Sequence, residues 1–205
     1  ASRGIGRSIA EVFAEEGAKI VINYNSFEKG ASDVANVING KGGQAIHVRA
    51  DVSKLDDVKR LVKATMDSFG RIDILVNNAG VNITQWAVDV TEEAWDRVLD
   101  TNLKALFFCA QAVGRVMIRR KRGKIINISS IAGRKGIDWI PHYSASKAGV
   151  IVLTQAIALQ LAPYNVNVNS ICPGVIWTPM WEKGAKVLSQ SYPPFKGMKP
   201  GEVFQ

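Results

Sequence analysis

Strand-like and helix-like runs alternate along almost the whole chain, and this alternation restricts its fold more than any other feature. Short apolar runs span 18–23 (centred on Ile20, Val21 and Ile22), 44–49, 73–77, 124–129 and 166–171. Helix-period runs lie between them. The first covers 9–16 and stops at Gly17, and the second covers 28–39 and stops at Gly40. The third runs from a Ser53 cap, with Asp56 placed for a capping box, to Gly70. A long helix opens at Thr91 and continues to about Arg119, and a last one opens at Tyr143 and ends near Pro163. Strands separated by helices run parallel and are covered on both faces. The expected fold is α/β, a doubly wound parallel sheet in one domain over residues 1–205. Past Pro179 the pattern fails, and 181–205 reads as loop with at most a short helix.

In such a sheet, ligands bind beyond the carboxyl ends of the strands. That rule selects the Gly4 loop, Asp51-Val52, Asn77 to Gly80, Ser129-Ser130 and Cys172-Pro173-Gly174. The turn Ser2-Arg3-Gly4-Ile5-Gly6 opens a helix, where backbone N–H groups and the helix dipole suit a phosphate. Tyr143 and Lys147 are four apart and share a helix face. A cation beside a phenol favours the phenolate, which would make Tyr143 an acid usable near neutral pH. On the long helix, Asn102 lies in an apolar stripe that runs from Trp95 to Met117. A buried Asn needs partners, either a main-chain group or a ligand-site group.

Composition narrows the partners. Cys109 and Cys172 sit in apolar contexts and read as small buried hydrophobes, not a disulfide. The net charge is +8, but the densest basic run, 119–124, follows a helical pattern and suits a helix C-terminus better than a nucleic-acid patch. No unbroken apolar run reaches the roughly 18 residues of a membrane span, and no signal-peptide pattern is visible. The expectation is a cytoplasmic protein with no membrane partner, no nucleic acid and no metal.

Taken in order, these residues resemble the short-chain dehydrogenase/reductase family, in the branch of 3-oxoacyl-acyl-carrier-protein reductases and sugar or polyol dehydrogenases. Ser2-Arg3-Gly4-Ile5-Gly6 is similar to the end of the family's glycine-rich loop. Asp51-Val52 resembles the pair after its third strand, and Asn77-Asn78-Ala79-Gly80 its N-N-A-G. Asn102, Ser130, Tyr143 and Lys147 resemble its catalytic tetrad, with Ser130 chosen over Ser129 by its 13-residue distance from Tyr143. Pro173-Gly174, with Ile176, Thr178 and Met180, resembles the segment beside the nicotinamide.

The resemblance implies a Rossmann fold and hydride transfer between a nicotinamide dinucleotide and a carbonyl or secondary alcohol. Tyr143 would be the acid/base. Lys147 would lower its pKa and hold the ribose, Ser130 would hold the substrate oxygen, and Asn102 would hold a relay water. The cofactor would lie on Ser2, Arg3, Gly4, Ile5, Gly6, Asn23, Asp51, Val52, Asn77, Ala79, Gly80, Tyr143, Lys147, Pro173, Gly174, Ile176 and Thr178. The second strand ends Asn23-Tyr24-Asn25-Ser26, without the acid of NAD binders, and Arg3 suits a phosphate. NADP is therefore expected ahead of NAD. Residues 177–205 would form a substrate lid, with Trp139 near the site. Trp177, Trp181, Tyr192 and Phe195 would stack on a sugar, bury an acyl chain or simply pack. A homodimer or homotetramer through helices 91–119 and 143–161 is implied. The family also has a strand ahead of the position of Ala1 and a helix and strand beyond that of Gln205, so the chain is expected to be incomplete. The competing function is a non-catalytic dinucleotide-binding regulator.

Overall fold

Each apolar run becomes a strand because helices cover both faces of the sheet. In the computed structural model, which describes residues 1–203, these are β1 (Ile20–Tyr24), β2 (Ala45–Arg49), β3 (Ile74–Asn77), β4 (Gly123–Ile128) and β5 (Val166–Ile171). The helices are α1 (Gly4–Glu15), α2 (Glu28–Gly40), α3 (Leu55–Phe69), α4 (Glu92–Leu99), α5 (Ala105–Arg120), α6 (Pro141–Leu161) and α7 (Pro179–Ser191). All strand pairings are parallel: β1 with β2, and β4 between β3 and β5.

The sheet is divided. Between β1 and β3 lies a cavity of about 500 Å³, walled by Ile20 and Val21 on one side, Leu75 and Val76 on the other, and residues of α1, α3 and α5. Ala1 itself lines the cavity, with its nitrogen 2.6 Å from the Asn23 carbonyl oxygen.

Two apolar cores flank the division. One joins β1 and β2 to α1 and α2 through Ile22, Tyr24, Val34 and Ile38. The other joins β4 and β5 to α5 and α6 through Val113, Met117, Ile125, Ile157 and Val168. Each fully buried aliphatic chain of this size contributes about 1.5–3 kcal/mol relative to exposure.

Several local expectations need correction. The first helix starts at Gly4, not Ile9, because Gly4 takes φ +55 and turns the chain directly into it. Helix α3 starts at Leu55 with no side-chain cap. The Ser53 hydroxyl and N–H instead bond Asp51 Oδ1 at 2.7 and 3.1 Å. Asp57, not Asp56, reaches back, accepting from the Asp51 N–H at 2.7 Å. The long helix is α4 and α5 joined by a π-helical turn, Asp100–Lys104, and this extra residue in the turn rotates the stripe. Trp95 is consequently 45% exposed, while Asn102 stays buried. The segment past Pro179 is helical as α7, capped by Thr178, whose hydroxyl accepts from the Trp181 N–H at 3.4 Å. Finally, the stretch Pro141–Tyr164 is long and apolar enough, by length and composition alone, to cross a membrane. Here it is the core helix beside β5, with His142, Ser146, Lys147 and Thr154 buried on it.

Candidate active site

Helix α6 is fastened to the end of β4, and this fastening assembles the site. The Lys147 ammonium donates to the Ile128 carbonyl at 2.7 Å, and Ser129 donates its hydroxyl to the Lys147 carbonyl at 2.8 Å. Gly133, in the turn after β4, lies so close to α6 that a Cβ there would meet the Lys147 carbonyl carbon at 2.5 Å. With the helix held this way, the Ser130 hydroxyl donates to the Tyr143 phenol, and the Lys147 Nζ lies 5.6 Å from the centre of the Tyr143 ring. The two adjacent serines are thus separated by geometry: Ser129 is tied into the helix backbone, and Ser130 faces Tyr143.

Electrostatics at the pair differs from the sequence expectation. Burial raises the Tyr143 pKa, opposed by the Ser130 hydrogen bond. Burial also lowers Lys147 to about 8. Desolvation disfavours the charged form of each. The ammonium sits over the ring, and the Ser130 hydroxyl is a donor that favours the phenolate.

Asn102 connects this pair to the strand ends. Its side-chain oxygen accepts from the Val81 N–H at 2.8 Å, and its amide donates to the Val81 carbonyl at 3.0 Å and the Ser146 hydroxyl at 3.1 Å. Ser146 in turn donates to the Tyr143 carbonyl at 2.7 Å. Both N–H groups of the amide are committed, so the second lone pair of Oδ1 is what its side chain retains for a water. That oxygen and Lys147 Nζ border the same space at Gly80, where a Cβ would lie 3.2 Å from one and 3.7 Å from the other.

A groove of close backbone approaches leads away from the pair. A Cβ on Gly4 would touch the Thr178 methyl at 3.4 Å, and one on Gly6 would strike the Asn78 amide at 2.6 Å. The glycine loop, the Asn77–Gly80 turn and the Pro173–Thr178 segment therefore converge. The Ile131 N–H donates to the Pro173 carbonyl at 3.0 Å and ties the last of these to the Ser130 turn. Ser2 and Ile5 are half-buried in the loop, and Arg3 is exposed, its guanidinium 5.8 Å from the Phe27 ring centre. Ala79, Gly174 and Ile176 are exposed along the groove.

Other expected contact residues turn inward. The Asn77 amide donates to Asn127 at 2.9 Å, and Asn127 to Thr154 at 2.9 Å, a buried polar chain under the site. The Asn23 amide donates to the Ala50 carbonyl at 2.9 Å, and Val52 lines the cavity between the sheets. The Asp51 carboxylate holds Ser53.

A model of the short chain dehydrogenase family matches residues 1–187. The chain belongs to this family. The dehydrogenase is 43% identical over 204 residues to the 3-oxoacyl-[acyl-carrier-protein] reductase of Synechocystis sp., covering 99% of this chain and 83% of that protein. It is 43% identical over 180 residues to the corresponding reductase of Staphylococcus epidermidis, covering 88% of this chain and 74% of that one. Among solved structures it resembles levodione reductase, with a TM-score of 0.91 at 31% identity, covering 99% of this chain and 77% of that chain. It also resembles a variant of actinorhodin polyketide ketoreductase solved with NADPH, with a TM-score of 0.89 at 30% identity, covering 99% and 84%.

Sequence reasoning missed several residues on which this dehydrogenase's site depends. Ser146 follows Tyr143 by three and had a signal in that spacing. Asn127 stands opposite Asn77 in the β3–β4 register, which no local pattern reveals. Gly133 is recognisable only once α6 is seen against it.

Proposed function

We propose that this dehydrogenase reduces the 3-oxo group of an acyl thioester with NADPH, with Tyr143 as the acid. Similarity to 3-oxoacyl-[acyl-carrier-protein] reductases along 99% of the chain supports the substrate class. Likeness to a ketoreductase solved with NADPH, together with the exposed Arg3 guanidinium, supports the cofactor. The observation that carries the reaction type is the Ser130–Tyr143–Lys147 constellation, a half-buried phenol with a hydroxyl donor and an ammonium beside it.

The residues present fit a dinucleotide: two glycines, Gly4 and Gly6, whose missing Cβ atoms leave the groove open at the start of α1. Ser2 to Gly6 and Thr178 would take the phosphates, Arg3 the 2′-phosphate, and Lys147 the ribose. When bound, NADPH supplies the hydride to the substrate carbonyl carbon. Tyr143 passes its phenolic proton to the carbonyl oxygen as that oxygen becomes a hydroxyl. Ser130 donates a hydrogen bond to the same oxygen and holds it within reach. Lys147 stabilises the phenolate left behind, and Asn102 fixes Val81 and Ser146 so that the Tyr143 backbone stays in place. Tyr192 and Phe195 pack on one another at 5.3 Å between ring centres, so they serve as packing residues in either substrate reading. We place the protein in the cytoplasm, as a homodimer or homotetramer paired through 91–119 and 143–161, without nucleic-acid or membrane partners.

The test is a spectrophotometric screen of NADPH and NADH oxidation against a 3-oxoacyl thioester, small diketones and keto-sugars, with Tyr143→Phe as control. Turnover of the thioester with NADPH, lost in Tyr143→Phe while cofactor binding remains, supports the reading. Equal turnover in the variant removes Tyr143 as the acid, and preference for a keto-sugar replaces the substrate class.

A further inference from the structure

The segment after Thr178 has its own small core. Ala185, Leu188 and Val203 are buried in it, against Trp181, Tyr192, Phe195 and Met198 of the same segment and Trp139 from outside it. Helix α7 lies against the turn Pro193–Phe195, and its Gly184 comes close to Thr84 in the loop after β3. A unit with its own core can move as a body, and the contacts that hold it to the rest of the fold decide when it closes.

Those contacts converge on Tyr192. Its ring lies 5.1 Å from Trp86 and 5.1 Å from Trp139, and its hydroxyl donates to Asp138 Oδ2 at 3.0 Å. Trp86 ends the loop that follows Asn77–Gly80, whose residue Val81 is clamped by Asn102. Asp138 and Trp139 belong to the loop that leads into α6 four residues before Tyr143. The two loops are tied to each other by the Gln85 N–H donating to the Trp139 carbonyl at 2.9 Å. A single side chain of the lid therefore sits between the two loops that enter the site. Burial and the Asp138 carboxylate both raise the Tyr192 pKa, so it remains a donor through neutral pH.

We propose that Tyr192 is the positioning residue that clamps the lid onto the two loops flanking Tyr143, through its ring between Trp86 and Trp139 and its hydroxyl on Asp138. This rests on the reductase reading for its kinetic consequence only. A clamped lid raises substrate affinity and leaves the proton transfer at Tyr143 unchanged.

Tyr192→Phe removes the hydroxyl and keeps the rings. Tryptic cleavage at Lys196, exposed on the lid and followed by Gly197, should then speed up by about two- to tenfold, the range of one net hydrogen bond. KM for the 3-oxoacyl thioester should rise by a similar factor, with kcat within about twofold of wild type. Asp138→Asn, which keeps an acceptor oxygen, should fall between wild type and Tyr192→Phe in both readouts. Unchanged cleavage and unchanged KM in Tyr192→Phe would overturn the clamp, as would a fall in kcat at constant KM. If the wild type reduces no carbonyl, the reductase reading fails, and the cleavage rates still decide the clamp.

Discussion

Lys147 is under two opposed demands. Chemistry asks for a cation beside Tyr143, while burial on α6 makes that cation expensive and lowers the group to about 8 from an ordinary 10.5. A buried amine whose folded pKa is depressed costs stability while it is charged in both states, below about pH 8. The cost is relieved between about 8 and 10.5, where the unfolded chain holds the proton and the folded one does not. Lys147→Met should therefore abolish turnover and lose the gain in stability that wild type makes between about pH 8 and 10.5, along with the bond to the Ile128 carbonyl. Thermal melts across pH 7 to 10 should show wild type gaining on the variant as pH rises, and a difference that does not change with pH would contradict it. Arg3 sits at the opposite end of the groove, exposed over Phe27. Arg3→Ala should weaken NADPH about ten- to a hundredfold, the range of a hydrogen bond to a charged group. NADH should weaken much less, and equal losses by titration calorimetry would make Arg3 a structural residue only.

The elements matter through the precision of one junction, where α6 crosses the turn after β4. Gly133 lets them touch, and the atoms a Cβ would strike are backbone atoms of Lys147 and Ala148 that cannot swing aside. Gly133→Ala should push α6 outward, destabilise the fold by about 1–3 kcal/mol as overpacking does, and lower kcat more than it raises KM. Denaturant midpoints together with steady-state rates check both. This junction also shows why the fold could be read from sequence further than the site. Strand and helix periodicity is local, so the five strands and their parallel order followed from runs such as Ile20–Ile22 and Ile125–Ile126. The π turn at Asn102 and the exposure of Trp95 were hidden, because one added residue in a helical turn changes the facing of a stripe without changing its spacing. Helix α7 had a start signal in Thr178-Pro179, a cap followed by a proline at the first helical position, yet it stands in a stretch otherwise punctuated by Gly, Pro and Lys. The inward turn of Asn77 and Asn23 depended on partners 50 and 27 residues away, Asn127 and Ala50.

At the scale of the whole molecule, the unresolved demand is the outer face of the helical layer. On α5, Ala105 and Val116 are buried in the subunit, and Phe108 remains half-exposed beside Phe107. On α6 the residues turned outward are Val152 and Leu159, at 65% and 80% exposure, whereas Ile151 and Ala158 are half-buried. Trp95 on α4 adds a further exposed apolar group. Helices that keep apolar groups on a second face are stabilised by a second partner, and a two-fold axis lets one such face cover its own copy. The proposed pairing through these helices therefore has a direct test. Phe108→Glu introduces a charge at the centre of the α5 face without entering the core of the subunit, so the fold should survive, as circular dichroism would show. Sedimentation should find smaller particles than wild type, and Leu159→Glu should act in the same direction from α6. A wild-type protein already monomeric at micromolar concentration, or one whose size neither substitution alters, would show that these apolar groups face solvent and that the dehydrogenase assembles by another surface or not at all.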